Sequence, residues 1–219
     1  MSGAVVSELC ALSGDDAAAS ACLVWRLGAP MRVASTGPVG GGIGLRDWVL
    51  NVQVPEGYAR RDTEVHVAEV AEALALAGSG VGMLTAADVS GVVTRCDDPA
   101  GVRVEATVGL RLPVWAAAPD DAVARAMARQ PGTINVVAFV PAPHSDAALV
   151  NLLCTVTEAK AQALADGGIQ GTGTASDAVT VLCPTSGPVE PFGGPRSTYG
   201  APLARAVHGA LLAGIEARS

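Results

Sequence analysis

A lysine within a predicted helix is the strongest candidate for chemistry in this sequence. Apolar residues recur at helical spacing across 146–166 and form one stripe, made of Leu149, Leu152, Leu153, Val156, Ala163 and Leu164. Lys160 falls in the middle of that stripe, and Thr157 lies three residues before it at the edge of the same face. Burial favours the neutral amine, the form that can act as a base. The alternatives are that Lys160 reaches solvent at the helix edge or neutralises a buried carboxylate.

The loop that follows this helix is rich in glycine and hydroxyl residues, at 171–177 (GTGTASD). Small residues let backbone N–H groups approach a ligand closely, as an oxyanion hole requires. Asp177 ends this loop and Asp88 ends a similar segment earlier in the chain, so both carboxylates are candidates for acid–base work. Each aspartate could instead be only a turn residue. The glycine run at 40–42 has two interpretations, a flexible turn or a close approach of backbone to ligand.

Asn135 stands near the start of an apolar, strand-like segment, directly after Gly132, Thr133 and Ile134. Its amide offers both a hydrogen-bond donor and acceptors, so it could bind an oxyanion or only stabilise a turn. The nucleotide-binding patterns G-x-x-x-x-G-K-[ST] and G-x-G-x-x-G do not occur in a suitable context. The five cysteines and three histidines are scattered, without C-x-x-C or H-E-x-x-H spacing, which predicts no metal site.

The elements that would position these residues recur in two parts of the chain. RVAST at 32–36 resembles RVEAT at 103–107, and LNVQVP at 50–55 resembles INVVAFVP at 134–141. Each pair is followed by a predicted helix, at 63–77 and 146–166, and then by a T-A-x-D element and an apolar segment that ends in cysteine. We interpret 31–97 and 102–184 as an internal duplication of a β-β-α-β-β unit. An insertion around 111–131 predicts an extra short helix at 120–129.

These patterns predict one α/β (mixed α+β) domain over 1–219, with a mixed sheet covered by helices. An alanine-rich helix at 202–217 would close the core. Half of the 219 residues are hydrophobic, so a large core can be buried. The net charge of -7 argues against a nucleic-acid partner, because such proteins usually present a basic face. The sequence has no apolar run near the ~20 residues of a membrane span and no signal-peptide pattern, so we expect a soluble, cytoplasmic protein.

Five segments together resemble, in order, the motifs of the adenosylcobinamide amidohydrolase family. They are 81–89 (VGMLTAADV), 132–136 (GTINV), 155–160 (TVTEAK), 171–178 (GTGTASDA) and 193–200 (GGPRSTYG), and the similarity covers roughly 33–212. The family pattern often has Asn where this chain has Gly40, and usually Thr where it has Ala175. The resemblance implies hydrolysis of the amide between a corrin propionate and the aminopropanol arm, giving adenosylcobyric acid for cobamide salvage. The corrinoid would be the substrate, with no cofactor needed.

The candidate catalytic residues are Lys160, Asp177, Asp88, Thr157 and Asn135. The candidate substrate-binding residues lie in the resembling segments, in the early glycine run or beside them: Gly41, Gly42, Thr85, Gly132, Thr133, Glu158, Thr172, Gly173 and Thr174. In one mechanism Lys160 activates a threonine, either Thr157, Thr172 or Thr174. In the other, Asp177 or Asp88 activates water while Asn135 and loop amides hold the oxyanion.

Two other functions are compatible with the sequence. One is a non-catalytic corrinoid-binding module, although the cobalt-ligating pattern D-x-H-x-x-G is absent and His144 precedes Ser145 and Asp146 instead. The other is an amidase that acts on a different small amide. The expected partner is a small-molecule corrinoid, without nucleic acid or membrane, and a homodimer is the assembly considered.

Overall fold

The computed structural model describes residues 5–12, 20–121, 124 and 132–217. The strands are β1 (Glu8–Ala11), β2 (Ala21–Ser35), β3 (Gly42–Gln53), β4 (Gly80–Thr85), β5 (Val93–Asp97), β6 (Val102–Val108), β7 (Ile134–Phe139) and β8 (Ala178–Cys183). The helices are α1 (Thr63–Ala73), α2 (Asp146–Asp166) and α3 (Gly200–Glu216). The short helix predicted at 120–129 falls mostly outside the described residues. None of the helices in the described part of the chain is long and apolar enough to cross a membrane.

The strands form one mixed sheet in the order β4-β3-β2-β8-β7-β6-β5, and β1 pairs with the first part of β2. The pairs β3–β4 and β7–β8 are parallel, and the other pairs are antiparallel. The predicted mixed sheet covered by helices is therefore confirmed.

The long strand β2 bends the sheet into two facing layers. Its register with β3 shifts between Arg26 and Met31, and only its last residues, from Arg32 to Ser35, pair with β8. Side chains from opposite layers therefore meet. For example, Asn51 Nδ2 on β3 donates to Thr107 Oγ1 on β6 at 3.0 Å.

Three apolar clusters show how the layers are stacked. The first packs α1 against β2 and β3, and the second fills the space between the two sheet layers. The third packs α2 and α3 against β6, β7 and β8. Strand side chains alternate between faces, so each layer contributes to a cluster on both sides. The order is helix, sheet, sheet, helix.

Helix α2 spans 146–166, the range predicted from its apolar stripe. It begins after Ser145, whose hydroxyl accepts from the N–H of Ala148 at 3.2 Å, and it ends at Gly167. Its buried face includes Leu149, Leu152 and Lys160. Periodicity thus located the lysine on the core side of the helix.

The two predicted repeats differ in their last elements. In the first, the segment after the helix contains strand β4, whereas in the second the matching segment, 171–177, is the predicted loop and has an isolated bridge between Gly173 and Val114. The two cysteine-ending segments also differ in place, because β5 lies at the sheet edge whereas β8 is central and buried. The internal duplication and its limits, 31–97 and 102–184, stay predictions.

Candidate active site

A cavity of about 620 Å³ opens where the ends of β3 and β4 meet the starts of β7 and β8. Its lining consists of Pro38, Val54, Pro55, Glu56, Gly57, Tyr58, Arg60, Thr63, Leu84, Thr85, Ala86, Thr133, Ser176 and Ala178. Three separate segments that carry the family resemblance, 81–89, 132–136 and 171–178, thus contribute to one cavity. Folding of the sheet into two layers brings them together.

Two hydroxyl groups from different segments meet in the cavity wall. Thr133 Oγ1 and Ser176 Oγ are 2.8 Å apart, and either oxygen can be the donor. Thr133 is buried, whereas Ser176 is exposed to the cavity. Such a pair can supply a nucleophilic oxygen or orient a water molecule.

A buried ion pair lies directly behind these hydroxyls. Lys160 Nζ donates to Asp177 Oδ2, and both side chains are only 9% exposed. Asp177 also accepts from the N–H of Ile134 at 2.9 Å, and from the N–H and hydroxyl of Thr174 at 3.0 and 2.5 Å. An ammonium that donates to a carboxylate has no lone pair to offer as a base, and this carboxylate is fully bonded. The geometry favours the alternative in which Lys160 neutralises a buried carboxylate.

The pair fixes the two segments that carry the hydroxyls. Asp177 binds Ile134, which follows Thr133, and it is itself the neighbour of Ser176. The carboxylate therefore ties the start of β7 to the loop before β8. Lys160 and Asp177 are best described as positioning residues for the hydroxyl pair.

Gly173 packs directly against the ion pair. A Cβ on Gly173 would lie against the carboxylate of Asp177 and the ammonium of Lys160, closer than real Cβ atoms approach other atoms. We expect Gly173→Ala to lower the free energy of unfolding by about 1–3 kcal/mol, since the ion pair must shift. Thermal unfolding would measure this effect. Gly91→Ala is a matched control, because a Cβ there meets nothing within 4 Å. Equal stabilities for the two variants would contradict the proposed crowding.

Asn135 forms a bridge between the sheet layers. Its Nδ2 donates to Asn51 Oδ1 at 2.8 Å and to Leu84 O at 3.2 Å, and its Oδ1 accepts from the N–H of Ala178 at 3.1 Å. Both amide hydrogens are used inside the protein. This arrangement favours the structural alternative for Asn135, in which it holds β3, β4, β7 and β8 in register around the cavity.

Three other candidates lie away from the cavity lining. Thr157 is exposed on α2 and its hydroxyl donates to Leu153 O at 2.9 Å, while Glu158 beside it is also exposed. Asp88 is exposed and accepts from the N–H and hydroxyl of Ser90 at 2.9 and 2.8 Å, as a cap for a short turn. These contacts do not place the three side chains near the Thr133–Ser176 pair.

The remaining candidates have mixed locations. Thr85 lines the cavity, and its hydroxyl accepts from the N–H of Ala87 at 3.0 Å. Gly132 packs against the backbone of Gly109, where a Cβ could not fit. Thr172 Oγ1 accepts from the N–H of Ala116 at 2.9 Å, which secures the outer side of the loop.

Gly41 lies in the turn between β2 and β3 and Gly42 is the first residue of β3; this turn brings Pro38 to the cavity. A Cβ on Gly41 would meet the carbonyl oxygens of Gly37 and Ser35. Gly42 has a φ of 85°, which favours glycine. Neither glycine lines the cavity itself; Gly41 shapes the turn and Gly42 shapes the start of β3.

The outer wall of the cavity was not predicted from the sequence. It comes from the segment between β3 and α1, which contributes Glu56, Tyr58 and Arg60. Tyr58 Oη lies 2.6 Å from Nδ1 of His66 on α1, and Glu56 pairs with Arg111. The chain has only two tyrosines, and this rarity was the one feature of the sequence that could have drawn attention to Tyr58.

The charged side chains of this wall form ion pairs. Arg60 binds both Asp62 and Glu69, at 2.9 Å each. The hydrogen bond from Arg60 lowers the pKa of Asp62 below its ordinary value. Burial raises the pKa of Tyr58, because it disfavours the phenolate.

Comparisons with known proteins identify the family of this chain. The family model described as adenosylcobinamide amidohydrolase matches residues 10–219, a wider span than the motifs alone. A curated protein with that name from Halobacterium salinarum is 34% identical over 204 residues, which cover 89% of this chain and 85% of the relative. Another from Methanosarcina mazei is 30% identical over 193 residues, covering 84% and 90%.

Among solved structures, a Burkholderia sp. beta-aminopeptidase is remotely similar, with a TM-score of 0.43 and 13% identity over 95% of this chain and 82% of that chain. The family match and the two curated relatives cover most of the sequence. This chain therefore belongs to the adenosylcobinamide amidohydrolase family, whose members are hydrolases that act on an amide.

Proposed function

We propose that this protein hydrolyses the amide between the corrin propionate and the aminopropanol arm of adenosylcobinamide. The products would be adenosylcobyric acid and aminopropanol, and the acid would re-enter cobamide assembly as a salvaged precursor. The observation that supports this most is the convergence of segments 81–89, 132–136 and 171–178 on one cavity that contains a hydroxyl pair. The names of the two curated relatives give the substrate class.

The cavity suits the arm of the substrate better than the whole corrinoid. A volume of about 620 Å³ is in the range that holds one drug-sized ligand, and a corrin with its side chains is larger. We therefore place the aminopropanol arm and its amide in the cavity and the macrocycle at the entrance. Val54, Pro55 and Leu84 line the cavity and would make apolar contacts with the arm.

The attacking oxygen would come from the Thr133–Ser176 pair. Either Ser176 Oγ attacks the carbonyl carbon, or the pair orients a water molecule that does so. Ser176 is the better placed of the two because it is exposed, while the buried Thr133 holds it by the 2.8 Å hydrogen bond. Lys160 and Asp177 fix the backbone behind both residues and take no direct part in bond breaking.

We also propose a cytoplasmic location. All five cysteines are unpaired, which is usual for proteins in a reducing compartment.

The first test is to incubate the purified protein with adenosylcobinamide in water enriched in ¹⁸O and to analyse the corrinoid by chromatography and mass spectrometry. We expect adenosylcobyric acid with one labelled oxygen in the new carboxylate, together with aminopropanol. A spectral binding shift without product would support a non-catalytic corrinoid-binding module. Hydrolysis of small amides, with corrinoid left intact, would support an amidase with another substrate.

A further inference from the structure

Tyr58 and His66 form a closely bonded pair at the wall of the cavity. Tyr58 Oη is 2.6 Å from His66 Nδ1, and the two rings are stacked with centroids 5.4 Å apart. Tyr58 lines the cavity, whereas His66 is 3% exposed and lies behind it on α1. A buried imidazole thus holds a phenol at the surface that a substrate would contact.

The pair lies in a different structural layer from the candidate nucleophile. Tyr58 precedes α1, on the side of the sheet formed by β3 and β4, whereas Thr133 and Ser176 come from the starts of β7 and β8. All three side chains line the same cavity. An amide between these walls would have an attacking oxygen on one side and a proton donor on the other.

We propose that Tyr58 is the general acid that protonates the departing aminopropanol nitrogen, and that His66 is the positioning residue that holds its hydroxyl. This inference rests on the proposed function. It names a group that the hydrolysis requires, since an alkylamine leaves readily only as the neutral amine.

As the hydroxyl or water adds to the carbonyl carbon, it releases its proton to solvent in the cavity, and a tetrahedral intermediate forms. The C–N bond then breaks, its electron pair remains on nitrogen, and nitrogen takes the proton of Tyr58 Oη. We assign a proton to Nδ1 of His66, so that the imidazole donates to Tyr58 and stabilises the phenolate. Solvent then returns a proton to the phenolate. If Ser176 is the nucleophile, water hydrolyses its ester and gives a proton back to Ser176 Oγ, so the enzyme returns unchanged.

The acidity of the phenol suits this task. Primary alkylamines have a pKa near that of lysine, about 10.4, and free tyrosine is close at about 10. Burial raises the pKa of Tyr58 further, against a smaller opposite effect of Arg60, so the phenol stays protonated at neutral pH. The nearby carboxylates of Asp62 and Glu69 act in the same direction as burial.

The test compares two substrates that differ only in the leaving group. One is adenosylcobinamide and the other is its ester analogue, in which oxygen replaces the amide N–H, because an alkoxide depends less on protonation by a general acid. We expect Tyr58→Phe to lower kcat on the amide by about 100-fold and on the ester by less than about threefold. The corrinoid binding shift should match that of the wild type, and the loss of the bond to buried His66 should lower the free energy of unfolding by about 1–3 kcal/mol, which leaves the variant folded in the assay.

A second pair of variants tests His66. His66→Leu removes the bond to Tyr58 and should lower amide turnover about 10-fold, whereas His66→Asn keeps an N–H near the position of Nδ1 and should restore most of it. Equal losses on amide and ester, or normal amide turnover by Tyr58→Phe, would overturn the inference while leaving the function intact. A wild-type protein that cleaves neither corrinoid would overturn both.

Discussion

Replacing Asp177 with alanine should lower the free energy of unfolding by about 3–5 kcal/mol, because it leaves a buried charge on Lys160 without a partner. Both side chains of the pair are 9% exposed, so water cannot readily take the place of the carboxylate. The change also removes the acceptor for the N–H groups of Ile134 and Thr174. The unfolding temperature should fall on the order of 10 °C.

A double-mutant cycle with Lys160→Met separates the ion pair from the other bonds of Asp177. The double variant, Asp177→Ala with Lys160→Met, should be more stable than Asp177→Ala alone, since no uncompensated charge remains. Asp88→Ala is a matched control, because that carboxylate is exposed and caps a turn at Ser90. It should change stability by about 0.5–2 kcal/mol. If Asp177→Ala were no more destabilising than this control, the ion pair would not be a major support of the loop.

The same substitution should reduce turnover at least about 100-fold, since a displacement of about 1 Å can have that effect. Asp177 holds the residue after Thr133 and directly follows Ser176, so its loss should separate the two hydroxyls. The double variant should therefore recover stability but little activity. Recovery of both would show that the Asp177 bonds to Ile134 and Thr174 do not position the site.

Local patterns in the sequence were sufficient to locate some of these residues. The apolar periodicity of 146–166 placed Lys160 on the buried face, and the structure has the helix over Asp146–Asp166. The glycine-rich composition of 171–177 predicted a loop, and the structure has a loop there before β8. The predicted approach of its backbone N–H groups to a ligand stays a prediction. The helix and the loop could be predicted because each depends on residues that are close together in the sequence.

Features that depend on the folding of the sheet could not be predicted. Asn51 and Asn135 were matched only as equivalents in two repeats, yet their side chains bond to each other across 84 positions of sequence. Nothing in a single sequence indicates that β2 bends and brings these strands face to face. Ser176 was inside a recognised motif, but its hydroxyl gained significance only from Thr133, which is 43 positions away.

Ser176→Ala should lower turnover of adenosylcobinamide at least about 100-fold, with a small loss of stability. The side chain is exposed in the cavity and its removal leaves no large void, but it takes a hydrogen-bond partner from the buried hydroxyl of Thr133, so the free energy of unfolding should fall by about 0.5–1.5 kcal/mol. Thr133→Val keeps the shape of its side chain but removes the bond to Ser176, and should give a smaller loss of turnover. Steady-state kinetics on the purified variants would measure both effects.

Thr157→Ala is the matched control for these variants, because Thr157 is a hydroxyl candidate on the exposed face of α2. If Thr157→Ala were inactive and Ser176→Ala active, the chemistry would have to lie on the helix, and the cavity would not be the site. If Ser176 attacks directly, rapid quenching of the wild type should give a protein adduct with the mass of the corrin acyl group. If the hydroxyl pair only orients water, that adduct should be absent while Ser176→Ala still loses activity. The adduct therefore decides between the two mechanisms, because both require the same pair of hydroxyls.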